Sequence, residues 1–221
     1  MKKIIYMPIP MQPELKALYN LSDEIIKEKK LDDFGKIYFP INAYIADYLY
    51  SEDEIKVCFI ELTDDKMRNE LEARYKENEK LFKDEIEKIG KLFNAKIEYA
   101  TVETVFNESV DIFGNRFEEL YKCLEKNCEI YADITFGAKT NTLIINNVLT
   151  FAELFYDCNV EAIVYGKTIF EKNVSGKTVP SQEVAKVCDV TSLYYLTKLT
   201  SQIKASSPEE AIAKVKKYLK I

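Results

Sequence analysis

Histidine is absent from the 221 residues. That excludes Ser-His and Cys-His nucleophilic pairs, histidine general bases and histidine-held metals, and with them any nuclease that needs an Arg–His motif. No apolar run approaches the roughly 20 residues that cross a bilayer. The apolar stretch after Met1, Lys2 and Lys3 is too short for a secretion signal. The expected location is the cytoplasm, with no membrane partner. The five cysteines, Cys58, Cys123, Cys128, Cys158 and Cys188, lack paired metal-ligand spacing. They read as reduced, buried thiols, with no metal. Internal repeats and low-complexity segments are lacking. Positive charge is in deficit: 31 Lys and Arg against 37 Asp and Glu leave −6. A duplex-binding protein usually carries a basic face, so duplex nucleic acid is not an expected partner.

What is present supports a sizeable core, since 47% of the residues are apolar. Lys2 to Ile9 reads as a buried strand. It runs into Pro8-Ile9-Pro10-Met11-Gln12-Pro13, where three prolines in six residues stop helix and ladder alike. The spacing of Leu15, Leu18, Leu21 and Ile25 predicts a helix over Glu14–Lys30. Ile37–Phe39 suggests a short strand, and Tyr44–Tyr50 has no clear period. Glu54–Leu62 reads as a strand, followed by Thr63 as an N-cap, with Asp64 and Asp65 in the first turn of a long charged helix to about Asn94. Its Lys and Glu read as a solvated face. Further on the pattern predicts a strand at Lys96–Phe106, a helix at Asn115–Lys126, a strand at Cys128–Thr135, a helix at Ala138–Cys158 and a strand at Val160–Tyr165. A hairpin follows over Ile169–Thr178, turning at Asn173–Gly176. Val187–Val190 is a short strand. Helices at Ser192–Ile203 and Pro208–Leu219 end the chain, the last with Ser207 as N-cap and Pro208 in first helical position. Strands alternating with helices predict an α/β fold: a Rossmann-like, mostly parallel sheet with helices on both faces, plus C-terminal helices. Residues 1–191 read as one ligand-binding domain and 192–221 as a helical extension.

In such sheets ligands bind beyond the C-terminal strand ends. Two loops there carry binding-type residues. One is Pro8, Ile9, Pro10, Met11 and Gln12. The other is Asp133, Ile134, Thr135, Phe136, Gly137, Ala138, Lys139, Thr140 and Asn141. The second turns a strand into a helix that is uncharged between Lys139 and Glu153. A helix N-terminus presents backbone N–H groups and a positive dipole end, which suits a phosphate. Gly137 permits close backbone approach. Lys139 sits where a positive charge opposes the dipole, which calls for an anion beside it. Other residues have two readings. Asp133 can order the turn or touch ligand, and Thr135 can satisfy the strand exit. Asn146 and Asn147 read as buried or interface groups. Tyr6, Tyr131 and Tyr165 read as sheet packing or as a platform for a base. Arg116 reads as a phosphate contact or a surface residue. Glu103, Asn107 and Glu108 read as loop residues after the third strand.

Asp133-Ile-Thr135-Phe-Gly137-Ala-Lys139 resembles the Asp-x-Thr-x-Gly-x-Lys/Arg signature of CARF domains, the CRISPR-associated Rossmann-fold sensors. The order of elements around it is similar over about residues 1–200, and Cys188 to Leu193 resembles the segment that ends such domains. Phe136 and the proline-rich first loop depart from the family pattern. The resemblance implies a homodimer that binds cyclic tetra- or hexa-adenylate across its two-fold axis in type III CRISPR antiviral signalling. Gly137 to Asn141 would meet phosphates and riboses, and the Met7–Gln12 loop would close over an adenine or ribose. It also admits a ring nuclease, in which the ligand's own 2′-OH attacks, Lys139 stabilises the phosphate and Thr135 or Thr140 orients the attack, with no metal or cofactor. A HEPN ribonuclease is excluded by the missing histidine. The chain is expected to be a stand-alone sensor, a stand-alone ring nuclease or the sensor part of something longer. Two other classes stand beside this: a Rossmann-like nucleotide-binding enzyme, disfavoured because no G-x-G-x-x-G follows the first strand, and a non-enzymatic regulatory dimerisation module.

Overall fold

The computed structural model of the protein describes residues 1–11, 15, 17–31, 34–35, 37–63, 68–105, 107, 109–168, 170–172, 176, 178–180 and 185–219. Its centre is a six-stranded sheet. The strands are β1 (Lys2–Pro8), β2 (Glu54–Thr63), β3 (Lys96–Val105), β4 (Glu129–Asp133), β5 (Asn159–Lys167) and, after a short antiparallel pair of β6 (Phe170–Lys172) with β7 (Thr178–Pro180), β8 (Lys186–Asp189). The order is β3-β2-β1-β4-β5-β8, parallel throughout except for β8 at the edge.

Strand alternation divides the core in two. Ile5 and Met7 of β1 face one cluster, with Phe59, Phe82 and Ile86. Ile4 and Tyr6 face the other, with Ile130, Ile145 and Val148. Helices α2 (Pro40–Ile45) and α3 (Arg68–Phe93) cover the first face; α4 (Val110–Tyr121), α5 (Lys139–Phe155) and α6 (Thr191–Gln202) cover the second. The small helix α1 (Asp23–Glu28), a 3-10 turn at Ala46–Tyr48 and the last helix α7 (Pro208–Leu219) complete the described elements. The chain winds outward from β1 to β3 with helices on one face, then returns to β4 beside β1 with helices on the other. The C-terminal ends of β1 and β4 therefore flank the point where the winding direction reverses. That is the crevice where open α/β sheets take their ligands.

The opposite edge is occupied structurally. Lys3, fully buried, lies 2.5 Å from Glu129 and 3.1 Å from buried Asp53. Asp53 also holds the Met1 amine at 2.7 Å. All five cysteines are free thiols, four of them buried.

Several expected boundaries move. The helix expected over Glu14–Lys30 is reduced to Asp23–Glu28, where the Ser22 hydroxyl accepts from Ile25 N–H and starts it. Tyr19 N–H instead donates to Ile37 O at 2.7 Å, and Leu18 O accepts from Ala185 N–H at 2.8 Å. Pairing with distant chain overrides helical spacing here. The strand expected at Ile37–Phe39 is a single bridge at Ile37, because Phe39 and Pro40 begin α2. Thr63 is the last residue of β2, and its hydroxyl donates to Thr104 O at 3.2 Å; the turn it was expected to cap lies outside the described residues. Asp64 and Asp65, Gln12, Phe106, Glu108 and the 173–175 turn lie outside the described residues. Helix α4 begins five residues before the expected Asn115 and ends at Tyr121; α5 ends at Phe155, with Tyr156 as its C-cap. Glu103 lies within β3, not after it. The hairpin, β8 and both final helices form where expected, and Ser207 Oγ accepts from Glu210 N–H as a cap. Among the described residues no helix is long and apolar enough to cross a membrane.

Candidate functional site

Strand β4 stops at Asp133, two residues before the expected Thr135, because Asp133 turns its own chain. Its carboxylate Oδ1 accepts from Thr135 N–H at 2.7 Å, a local side-chain-to-backbone turn. The Thr135 hydroxyl hydrogen-bonds to Asp133 and accepts from Gly166 N–H on β5 at 2.8 Å. Asp133 is fully buried, and burial pushes its carboxyl up to about 6 against the opposing pull of the Thr135 groups. A hydrogen bond from Ile41 N–H, in the first turn of α2, also opposes that rise by favouring the charged carboxylate. Asp133 Oδ2 nevertheless has no partner within hydrogen-bond geometry. Asp133 and Thr135 thus build the turn. Phe136 is half-buried and packs edge-on against Phe39, ring centroids 6.0 Å apart.

At Gly137 the chain adopts φ +85°, a left-handed conformation that an L side chain resists. A Cβ there would stand 2.9 Å from Pro8 Cβ and 3.3 Å from Asn141 Nδ2. Gly137 is therefore the point at which the two expected loops meet, over the β1–β4 crevice. The rest of the first loop is tied elsewhere. Ile9 N–H donates to Ile60 O at 3.0 Å, Pro10 O accepts from Asn78 at 2.8 Å, and Met11 O accepts from Arg74 at 3.2 Å. Ile9 and Pro10 are buried, and Met11 is half-buried.

Ala138 is the N-cap of α5 and, being alanine, makes no side-chain cap bond. Lys139 is exposed there, and among the described residues it forms no ion pair. Thr140 is half-buried and has a partner of its own. Asn141 is 1% exposed. Its Oδ1 accepts from Arg116 Nη1 at 2.8 Å, while its Nδ2 has no partner. Arg116, from α4, is buried at 2% exposure and also donates to Val105 O at 3.0 Å. It is not a surface residue. The pattern could not reveal this, since Arg116 follows Asn115 in a stretch whose polar residues otherwise read as solvated.

The tyrosines divide. Tyr6 and Tyr131 are buried, with Tyr6 OH donating to Leu120 O at 2.9 Å and Tyr131 OH to Glu129 at 3.3 Å, so neither offers a ring to a base. Tyr165 is exposed on β5. Asn147 is exposed and Asn146 half-buried on α5. Asn146 lines a groove of about 180 Å³ between α5 and α6, walled by Ile145, Leu149, Leu193 and Tyr194. Beside it Lys139, Leu143, Asn147 and Leu154 recur on one exposed face of α5. A second cavity, of about 150 Å³, lies at the end of β2 and is lined by Glu61, Glu72 and Glu103. Burial, with Glu79 nearby, pushes the Glu61 carboxyl up to about 7. That negative surround disfavours phosphate, whereas the α5 N-terminus, with exposed Lys139 on its first turn, favours it. No protein-family model and no curated protein matches the chain.

Proposed function

We propose that the protein binds a cyclic oligoadenylate as a homodimer, with one phosphodiester of the ring lodged at the N-terminus of α5 in each protomer. The observation that carries the reading is the buried, unpartnered Asn141 Nδ2 beside a helix N-terminus whose N-cap residue, Ala138, has no capping side chain. An amide donor buried without a partner costs about 1–3 kcal/mol, a cost that a ligand acceptor removes. Lys139 adds a mobile charge at the same turn. The signature resemblance supplies the ligand class; the crevice between β1 and β4 is where such a ligand would lie.

The exposed face of α5 supports the dimer. Leu143 is 68% and Leu154 64% exposed, with Leu193 of α6 alongside, and α5 carries no charge from Thr140 to Thr150. Lys139 lies one turn from Leu143 on that face, so pairing two such faces about a two-fold axis brings both phosphate turns to one ring. In this proposal Thr135 and Asp133 shape the turn and Lys139 meets the phosphate. Cleavage of the ring is a separate step, requiring the ligand's 2′-hydroxyl in line with the phosphorus beside Lys139.

Thermal unfolding with cyclic tetra-adenylate, cyclic hexa-adenylate, linear adenylates, NAD(P) and nucleoside monophosphates tests the reading. A ring at one hundred times its Kd stabilises the native state by about 2.7 kcal/mol. The expected result is stabilisation by a ring, lost in Lys139→Ala, with a dimer in solution. Stabilisation by NAD(P) or a monophosphate alone, or no response to either ring, would sink it. Chromatography of the incubated ring reports cleavage independently.

A further inference from the structure

The Asn141 amide has a defined orientation. Arg116 can only donate, so the atom 2.8 Å from its Nη1 must be the Asn141 oxygen. The amide nitrogen is then turned the other way, toward the Gly137 turn, where it stands 3.3 Å from the position a Cβ would take. Arg116 is itself held by Val105 O at 3.0 Å and is almost fully buried. A planar guanidinium gripped at two points cannot swing as a lysine can. The donor pair on Asn141 is thus buried without a partner and aimed at the first turn of α5, where an anion is favoured.

We infer that Arg116 is a positioning residue: by holding Asn141 Oδ1 it aims the Asn141 Nδ2 donors at a phosphate oxygen bound in the first turn of α5. This rests on the phosphate-binding part of the function proposed above, and not on the ring or the dimer. Arg116 does not touch the ligand. The subsite accepts the oxygens of phosphodiester, phosphate or pyrophosphate groups, and Asn141 reads them as acceptors only.

The inference is tested by calorimetric titration of the full chain with sodium pyrophosphate, cyclic tetra-adenylate and cyclic hexa-adenylate. Asn141→Asp keeps a partner for Arg116, and a better one, while replacing donors by acceptors. It should unfold at the same midpoint as the parent or later, yet lose affinity on the order of tenfold or more. Arg116→Lys should weaken binding in the parent and have no further effect in an Asn141→Ala background, since it acts through Asn141. In the unsubstituted protein the Asn141 side-chain amide protons should move downfield in nitrogen-correlated spectra as pyrophosphate is added. Parent-like binding by Asn141→Asp, losses from Arg116→Lys and Asn141→Ala that multiply, or stationary Asn141 amide signals would overturn it. If pyrophosphate binds with this dependence while neither ring binds, the ring reading falls and the Arg116 assignment stands. Should a ring bind without regard to Asn141, the reverse holds. If none of the three probes binds, both fall.

Discussion

Replacing Gly137 with alanine should damage the fold and the site together, through two separable effects. The first is backbone strain. At φ +85° an L residue costs about 1–2 kcal/mol relative to its relaxed conformation. The second is overlap. The new methyl would lie 2.9 Å from Pro8 Cβ, an atom of a rigid ring on a buried strand end, and overpacking of this kind costs roughly 1–3 kcal/mol. The sum is about 2–5 kcal/mol. With a urea m-value of about 2 kcal/mol/M, the midpoint should fall by about 1–2.5 M. Gly176→Ala is the matched control: φ there is +75°, and nothing lies within 4 Å of the added Cβ. It should cost only the backbone part, about 1–2 kcal/mol. The difference between the two variants measures the contact between the loops. The same methyl would sit 3.3 Å from Asn141 Nδ2, so pyrophosphate binding should disappear in Gly137→Ala and persist in Gly176→Ala. Equal midpoints for both variants would refute the claim that Gly137 packs the turn onto Pro8.

Gly114→Ala, inside α4 with nothing within 4 Å of the new Cβ, should stabilise the protein by about 0.5–1 kcal/mol in urea unfolding. Asp133 carries a pH signature. Its carboxyl is at about 6 folded against 3.8 ordinarily, so between those values the native state binds a proton that the unfolded chain does not. Its contribution is fully present below pH 3.8 and is lost as pH rises through about 6, by up to about 3 kcal/mol relative to Asp133→Asn. Unfolding curves of both proteins across pH 4–8 measure the difference, and a difference that grows in favour of the parent as pH rises contradicts the sign. Lys3→Ala leaves Asp53 and Glu129 with lost partners in a buried setting and should cost about 3–5 kcal/mol by thermal or urea unfolding. Leu143→Glu, on the exposed face of α5, should leave the unfolding midpoint of the monomer within about 0.5 kcal/mol while abolishing any dimer seen by light scattering.

The alternation of β-type runs with helical ones determined the layered α/β architecture, because each run can bury its apolar side in only one way. The same reasoning placed the two candidate loops at strand ends, since β1 and β4 stop where proline or an Asp-Thr turn stops them. Of the two serine caps, Ser207 was legible in the sequence and Ser22, inside the helix expected over Glu14–Lys30, was not. Ser207 stands before a regular helical pattern, whereas the residues ahead of Ser22 have helical spacing but pair with Ile37 and Ala185. Pairing over such distances leaves no mark in local periodicity. Strand order, and with it the meeting of Pro8 and Gly137, came only from the packed sheet. So did the fate of the polar groups. Thr135 and Asp133 look as available as Lys139 in the sequence, yet the fold engages the first two and leaves Lys139 exposed. A residue's chemistry is written in its side chain. Whether that chemistry is spent within the fold or left facing the crevice depends on which donors and acceptors arrive from other elements, as Arg116 arrives at Asn141 from a separate helix.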